Sequence, residues 1–334
     1  MAGARIAPSL SERVRAGDSR AVARGITIME DGGPLASALH AAILPSTGRA
    51  LTIGFTGPPG AGKSTLVDAF VAALRKSGRT VAVAAVDPSS PLSGGAVLGD
   101  RIRMGRHTED EGVFIRSIAS RGHLGGLTES IHHIVDLFDA SGRDVVVIET
   151  VGAGQSEVEV VDVADIRVVV NAPGLGDDVQ AIKAGILEIA SILVVNKADL
   201  PLAARTVRQL RAMLSLRRDG EKDVPVLETV ASTGQGVAEL LAAVLALGAS
   251  APGDRQARRR ARIRRLVAES AATLMRRRTM ARRDPALLDL LAQIEAGLIS
   301  LDEAVAAVIS EGTKMPDRIS DQTQVAESTH EPAV

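Results

Sequence analysis

Gly57-Pro58-Pro59-Gly60-Ala61-Gly62-Lys63-Ser64 has the G-x-x-x-x-G-K-S spacing of a phosphate-binding loop. Its glycines let backbone N–H groups curl around a β-phosphate. Lys63 can reach the β/γ oxygens, and the Ser64 hydroxyl can ligate Mg²⁺. The run from Gly57 to Thr65 is therefore the expected triphosphate contact. Leu51–Thr56 before it reads as a short buried strand. Lys63–Lys76 after it reads as a helix whose N-terminus faces the phosphates.

A second signature concerns the base. Asn196-Lys197-Ala198-Asp199 follows the apolar run Ile192–Val195. An aspartate there can accept two hydrogen bonds from the N1–H and N2–H₂ edge of guanine, a donor pair that adenine lacks. Asn196 can brace the loops, and the Lys197 stem can lie across the base. Ser232-Thr233-Gly234, after a further strand, is placed to meet guanine O6 by backbone N–H. A Ser-Thr-Gly turn before a helix is equally ordinary N-cap chemistry.

Metal and switch candidates lie between these motifs. Val145–Ile148 is an apolar strand ending in Glu149-Thr150-Val151-Gly152, where many P-loop GTPases carry Asp-x-x-Gly. A carboxylate there holds Mg²⁺ through water while the Gly152 N–H senses the γ-phosphate. Glu for Asp lengthens the reach by one methylene. Asp87 is a second Mg²⁺ candidate, or a turn residue before Pro88-Ser89-Ser90. Asp100, in a Gly-rich loop, is a third. Gln155 could orient the attacking water or be a solvated loop residue. Asp177 and Lys183, beside a Pro-Gly-Leu-Gly loop, could form a nucleotide-sensitive ion pair or cap the next helix. The adjacent His132-His133 pair lacks ligand spacing and suggests no metal site.

The elements that must position these residues alternate strand and helix from residue 51 onward. Candidate strands are 51–56, 80–86, 113–117, 144–149, 166–171, 192–196 and 224–229, with helices at 127–140, 178–189, 203–216 and 237–247. The pattern predicts an α/β P-loop NTPase with a mostly parallel sheet covered by helices on both faces. Residues 1–48 form an N-terminal helical extension, with helices at 9–16, 19–30 and 35–43, and 49–250 form the nucleotide domain. Residues 251–311 form a helical region. Its first part, Arg255–Arg283, holds twelve arginines beside apolar residues at helical spacing, including Ile263, Val267 and Leu274. Two shorter helices follow, and 312–334 reads as a disordered tail.

Composition removes several classes of function. There is no cysteine, which excludes disulfides, thiolate metal sites and cysteine nucleophiles. Four Phe with no Tyr or Trp leave no stacking platform for single strands, and a net charge of −1 gives no general pull toward nucleic acid or membrane. No apolar run has the length of a membrane span and no secretory leader is evident, which points to a cytoplasmic protein.

Together these motifs resemble those of the methylmalonyl-CoA mutase-associated GTPases, the MeaB/ArgK group. The resemblance rests on GPPGAGKST (57–65), VDPSSP (86–91), GDRIRM (99–104), SRGHLGGL (120–127), ETVGAGQSE (149–157), the 172–188 segment and NKAD (196–199), and spans about residues 8–310. It implies a GTPase that cycles between GTP and GDP with Mg²⁺, slow alone and accelerated by its partner. That partner is adenosylcobalamin-dependent methylmalonyl-CoA mutase, whose cofactor loading it gates and which it protects from inactivation. It also implies a homodimer held by the C-terminal helices. In that frame Lys63 and Ser64 hold phosphate and metal, Asp87, Asp100 and Glu149 surround the metal, and 172–183 is a nucleotide-responsive loop facing the mutase.

Three other readings carry less. A nickel or zinc insertion GTPase would carry cysteine or clustered histidine, and a signal-recognition GTPase a Met-rich domain; this chain has no Cys and seven Met. A small-molecule kinase would lack NKAD and carry an acceptor site. Asp199→Asn should weaken GTP binding by roughly tenfold or more while admitting xanthine nucleotide. Unchanged GTP affinity in a fluorescent-nucleotide competition would refute the base assignment.

Overall fold

The strands are nearly continuous Val, Ile and Ala runs because both faces of the sheet are buried. The computed structural model describes residues 6–87, 105–107, 109–119, 126–150, 163–174, 190–215, 224–249 and, with interruptions, 260–313. Three helices come first: α1 (Ile6–Arg15), α2 (Ser19–Asp31) and α3 (Gly33–Ile43). Next are β1 (Leu51–Thr56), α4 (Lys63–Lys76), β2 (Val81–Asp87) and β3 (Val113–Ala119). After them come α5 (Gly126–Ala140), β4 (Val145–Thr150), β5 (Ile166–Asn171) and β6 (Ile192–Val195). The nucleotide domain continues with α6 (Ala203–Leu214), β7 (Val226–Glu228) and α7 (Val237–Gly248).

These strands form one seven-stranded sheet, ordered β3-β2-β4-β1-β5-β6-β7, with every pairing parallel. The sheet agrees with the sequence reading, with strand ends moved by at most two residues. β1 sits between β4 and β5, so the loop that follows it emerges at the centre of the sheet's C-terminal edge.

Alternation along β4 divides the core. Val145 and Val147 pack with Phe70 and Leu74 of α4 and Leu240 of α7. Val146 and Ile148 pack on the other face with Ile26, Leu39 and Phe138. The N-terminal helices therefore cover one face of the sheet together with α5. The four phenylalanines form two edge-on or tilted pairs, Phe55–Phe70 on the α4 side and Phe114–Phe138 on the opposite side. Asp139 of α5 ties down the linker into β1: its carboxylate accepts the amides of Gly48, Arg49 and Ala50.

The chain divides into two compact units, Met1–Leu266 and Val267–Val334. Described positions between 260 and 281 are helical, followed by α8 (Pro285–Glu295) and α9 (Leu301–Thr313). Asp284 caps α8 by accepting the Leu287 amide. Leu301, Val305 and Ile309, at i, i+4 and i+8, are exposed, as are Leu288, Leu291 and Leu298. No described helix is long and apolar enough to cross a membrane. The helix expected at 178–189 and the tail beyond 313 lie outside the described residues.

One interface between α3 and α5 is polar. His40 Nε2 lies 2.8 Å from Asp136 Oδ2, and the His40 ring lies 4.2 Å from that of His133. Burial, with a smaller push from His40, holds the His133 pKa down at about 4 against an ordinary 6.5. The folded value lies below the unfolded one, so between these pH values the unfolded chain binds a proton that the folded chain refuses. Stability should therefore fall as pH drops through this window, by at most about 1.4 kcal/mol per pH unit from this group. Denaturant titrations of the protein and of His133→Gln across about pH 7 to 5 check this. The variant should show the shallower loss.

Candidate functional site

At the end of β1 the chain must turn sharply under β5. Gly57 adopts φ 142°, and a Cβ there would lie 2.0 Å from Val170 O. Gly62, at φ 86°, precedes α4, and a Cβ on it would meet Asn196 Nδ2 at 2.5 Å. Both positions require glycine for close approach as well as for backbone angle. No side chain caps the N-terminus of α4. A loop that leaves its helix start to main-chain amides is a ready anion cradle.

Lys63 folds back over this loop, its Nζ donating to Gly57 O at 2.5 Å and Pro58 O at 3.2 Å. Ser64 Oγ donates to Glu149 Oε1 at 2.5 Å, and Glu149 is fully buried at the end of β4. The hydroxyl and carboxylate thus form one cluster of hard oxygen donors, of the type a Mg²⁺ ion accepts. Asp87 ends β2 in register with Ala119, two residues past the Ala85 that pairs with Glu149. Asp100, Gly152, Gln155, Asp177 and Lys183 lie outside the described residues.

The second loop group is joined to the first by one side chain. Buried Asn196 donates Nδ2 to Ala61 O at 2.9 Å, and its Oδ1 accepts from Thr229 Oγ1 and the Ala231 amide, both at 3.1 Å. Lys197 takes φ 57°, which costs a non-glycine residue roughly 1–3 kcal/mol. Its Cε would be 3.8 Å from a Cβ on Gly62, so the stem lies beside the phosphate loop. Asp199 is exposed.

Ser232, Thr233 and Gly234 form an exposed turn closed by the Val230–Gln235 bridge. The Thr233 and Gly234 amides both donate to Val230 O, which narrows the expected O6 contact to Ser232. The alternative N-cap role is filled instead by Gly236, which has no side-chain cap and whose Cβ would strike Glu228 O at 2.0 Å. Sequence reasoning missed Thr229 and Ala231. The available signal was a buried hydroxyl residue just past β7.

The model of the family described as methylmalonyl Co-A mutase-associated GTPase MeaB matches residues 22–284. The chain belongs to this family. A putative GTPase of Pyrococcus horikoshii is 52% identical over 235 residues, covering 69% of this chain and 74% of its own length. The Escherichia coli GTPase ArgK is 45% identical over 191 residues, 56% of this chain and 58% of its own. The mouse mitochondrial methylmalonic aciduria type A homolog is 41% identical over 204 residues, 59% of this chain and 49% of its own. The solved structure of an LAO/AO transport system kinase superposes with a TM-score of 0.71 at 28% identity, covering 92% of this chain and 98% of that one. The protein is a P-loop GTPase of the MeaB family, and guanine nucleotide is its ligand class.

Asn196→Ala should strand the Ala61 carbonyl, the Thr229 hydroxyl and the Ala231 amide. The expected loss is about 1–3 kcal/mol of stability, together with a drop in GDP affinity of roughly tenfold or more. Thermal unfolding and fluorescent-GDP titration measure both. A stable variant with unchanged affinity would remove Asn196 from the site.

Proposed function

We propose that this protein is a GTP-driven chaperone of an adenosylcobalamin-dependent methylmalonyl-CoA mutase, gating cofactor loading and protecting the mutase from inactivation. The observation that carries this reading is the family match across residues 22–284, whose description couples the GTPase to that mutase. The mouse relative's name, with its reference to methylmalonic aciduria, points the same way.

In this reading the Gly57–Thr65 loop and Lys63 bind the phosphates. Asp199 selects guanine, with Asn196 bracing the loop, Lys197 lying along the base, and the 232–234 turn, through Ser232, facing O6. Ser64, Asp87, Asp100 and Glu149 would hold Mg²⁺, which neutralises charge on the β- and γ-phosphate oxygens. Gly152 senses the γ-phosphate and Gln155 orients the attacking water. Asp177 and Lys183 belong to a loop that reports the nucleotide state to the mutase. The exposed leucines of α8 and α9 suit a homodimer, since an apolar stripe of this kind needs a covering partner.

Phosphate release by the purified protein, with and without methylmalonyl-CoA mutase, tests the proposal. Hydrolysis should be slow alone and rise at least roughly tenfold with the mutase. Absence of both binding and stimulation, with phosphate passing instead to an added small-molecule acceptor, would favour the kinase reading and overturn this one.

A further inference from the structure

Among the described residues two that are not glycine take positive φ, Lys197 at 57° and Leu202 at 77°, and they bracket Asp199. The segment between them is a pair of turns sharing Leu200. The Leu200 amide donates to Lys197 O at 3.0 Å, and the Ala203 amide donates to Leu200 O at 3.3 Å. Pro201 and Leu202 occupy the centre of the second turn. With ψ −4°, Leu202 has the type II geometry that asks for glycine or asparagine. Leucine in this conformation is strained. Burial does not offset the strain, because Leu202 is 54% exposed and Leu200 beside it 43%.

Helix α6 begins at the next residue and breaks local rules on the same surface. No side chain caps its N-terminus, its first turn holds no acid, and Arg205 stands there against the helix dipole. Val207 and Leu210 pack with Leu193 and Val195 of β6. Away from that contact Arg205, Arg208 and Arg211 recur at i, i+3 and i+6, all exposed. Successive members of such a row rise about 4.5 Å along the axis and repel one another. The helix contains no acidic residue, and none of the three arginines is ion-paired among the described residues. Neither the leucine strain nor the like charges are offset within the described fold. That is the mark of a surface shaped for contact.

We propose that Leu200, Leu202 and the Arg205–Arg208–Arg211 row form a docking face for a partner protein that presents carboxylates around an apolar spot. Guanidinium forks take carboxylates two bonds at a time, and leucines beside them keep water from those bonds. Arginine is also among the residues enriched where proteins meet. A row about 9 Å long is too short to track a nucleic-acid backbone. The four phenylalanines are held in core pairs, so none is free to stack on a base. The partner is the mutase of the reading above, on which this assignment rests. The face shares its two turns with Asp199, so the partner is held beside the guanine site.

The test titrates purified methylmalonyl-CoA mutase against the unaltered protein and its variants at low and high salt. It also reads basal kcat for GTP, stimulation by the mutase, and melting temperature. Arg205→Ala/Arg208→Ala/Arg211→Ala should weaken binding roughly tenfold or more and flatten its salt dependence, with basal kcat within about twofold. Leu202→Asn puts a residue that tolerates φ 77° at the strained position. It should melt no lower than the unaltered protein yet bind the mutase several-fold more weakly. Arg20→Ala/Arg24→Ala, which removes exposed arginines from α2, should bind within about twofold of the unaltered protein. Full binding by the α6 triple variant would overturn the proposal, as would an equal loss in the α2 variant. So would a Leu202→Asn protein that melts lower and binds unchanged, since the leucine would then serve the fold. An unaltered protein that neither binds the mutase nor responds to it would sink the mutase reading and this assignment together. Binding that survives every α6 change would sink this assignment alone.

Discussion

One carboxamide joins the two halves of the nucleotide site. Asn196 sits at the end of β6, yet its Nδ2 reaches across β5 to the Ala61 carbonyl in the phosphate loop. Its Oδ1 takes the Thr229 hydroxyl and the Ala231 amide from beyond β7. By donating one bond and accepting two, this side chain satisfies three separate segments at once; a carboxylate, which only accepts, cannot. Because the group is buried, each bond is costly to lose. The loops that meet a phosphate and the loops that meet a base are thereby held at one separation. The glycine at position 62 is part of the same constraint, since a Cβ there would occupy the space of the Asn196 amide.

That linkage is possible only because the sheet is parallel and β1 is interior. Strand order β4-β1-β5-β6 brings Glu149, Gly57 and Asn196 to the same edge, each at a strand's C-terminal end. The helices that pack on the two faces explain the apolar strands but take no direct part in the site. α4 is the exception, since its first residues are site and the rest of it is core. Phe70, Val71 and Leu74 bury one side of it against the sheet. On another, Asp68 holds Arg106 and His107, and Arg75 holds Asp110. A displacement of its N-terminus would therefore be resisted by the core of the domain.

Much of this was legible in the residues. Local signals with fixed spacing, such as Gly57–Ser64 and Asn196–Asp199, located both loops, and runs of β-branched residues located the strands. Bracing by Asn196 was also expected, although its partners were not. Thr229 and Ala231 lie just past β7, 33 and 35 residues later, and only the register of β6 with β7 could place them. The same limit hid the contacts of Asp68 with residues 38 and 39 positions away, and of His40 with Asp136, 96 positions away. Such pairs have no periodicity and no fixed spacing. At residues 232–234, composition named a turn correctly but could not show that two of its amides already serve Val230 O.

The glutamate at 149 shows how a departure from a common motif can be matched elsewhere. An aspartate is the usual residue at the end of this strand in P-loop GTPases, and the extra methylene was read as a change of reach. Here that reach brings Oε1 to 2.5 Å from the Ser64 hydroxyl while the residue stays fully buried. A side chain one methylene shorter on the same backbone would not reach the hydroxyl at that distance. Nothing in the β1–β4 register offers compensation, because Phe55 pairs with Glu149 at a fixed spacing. The longer acid and the serine are thus one unit, set by two strands and a helix that cannot approach further without overpacking the core between them.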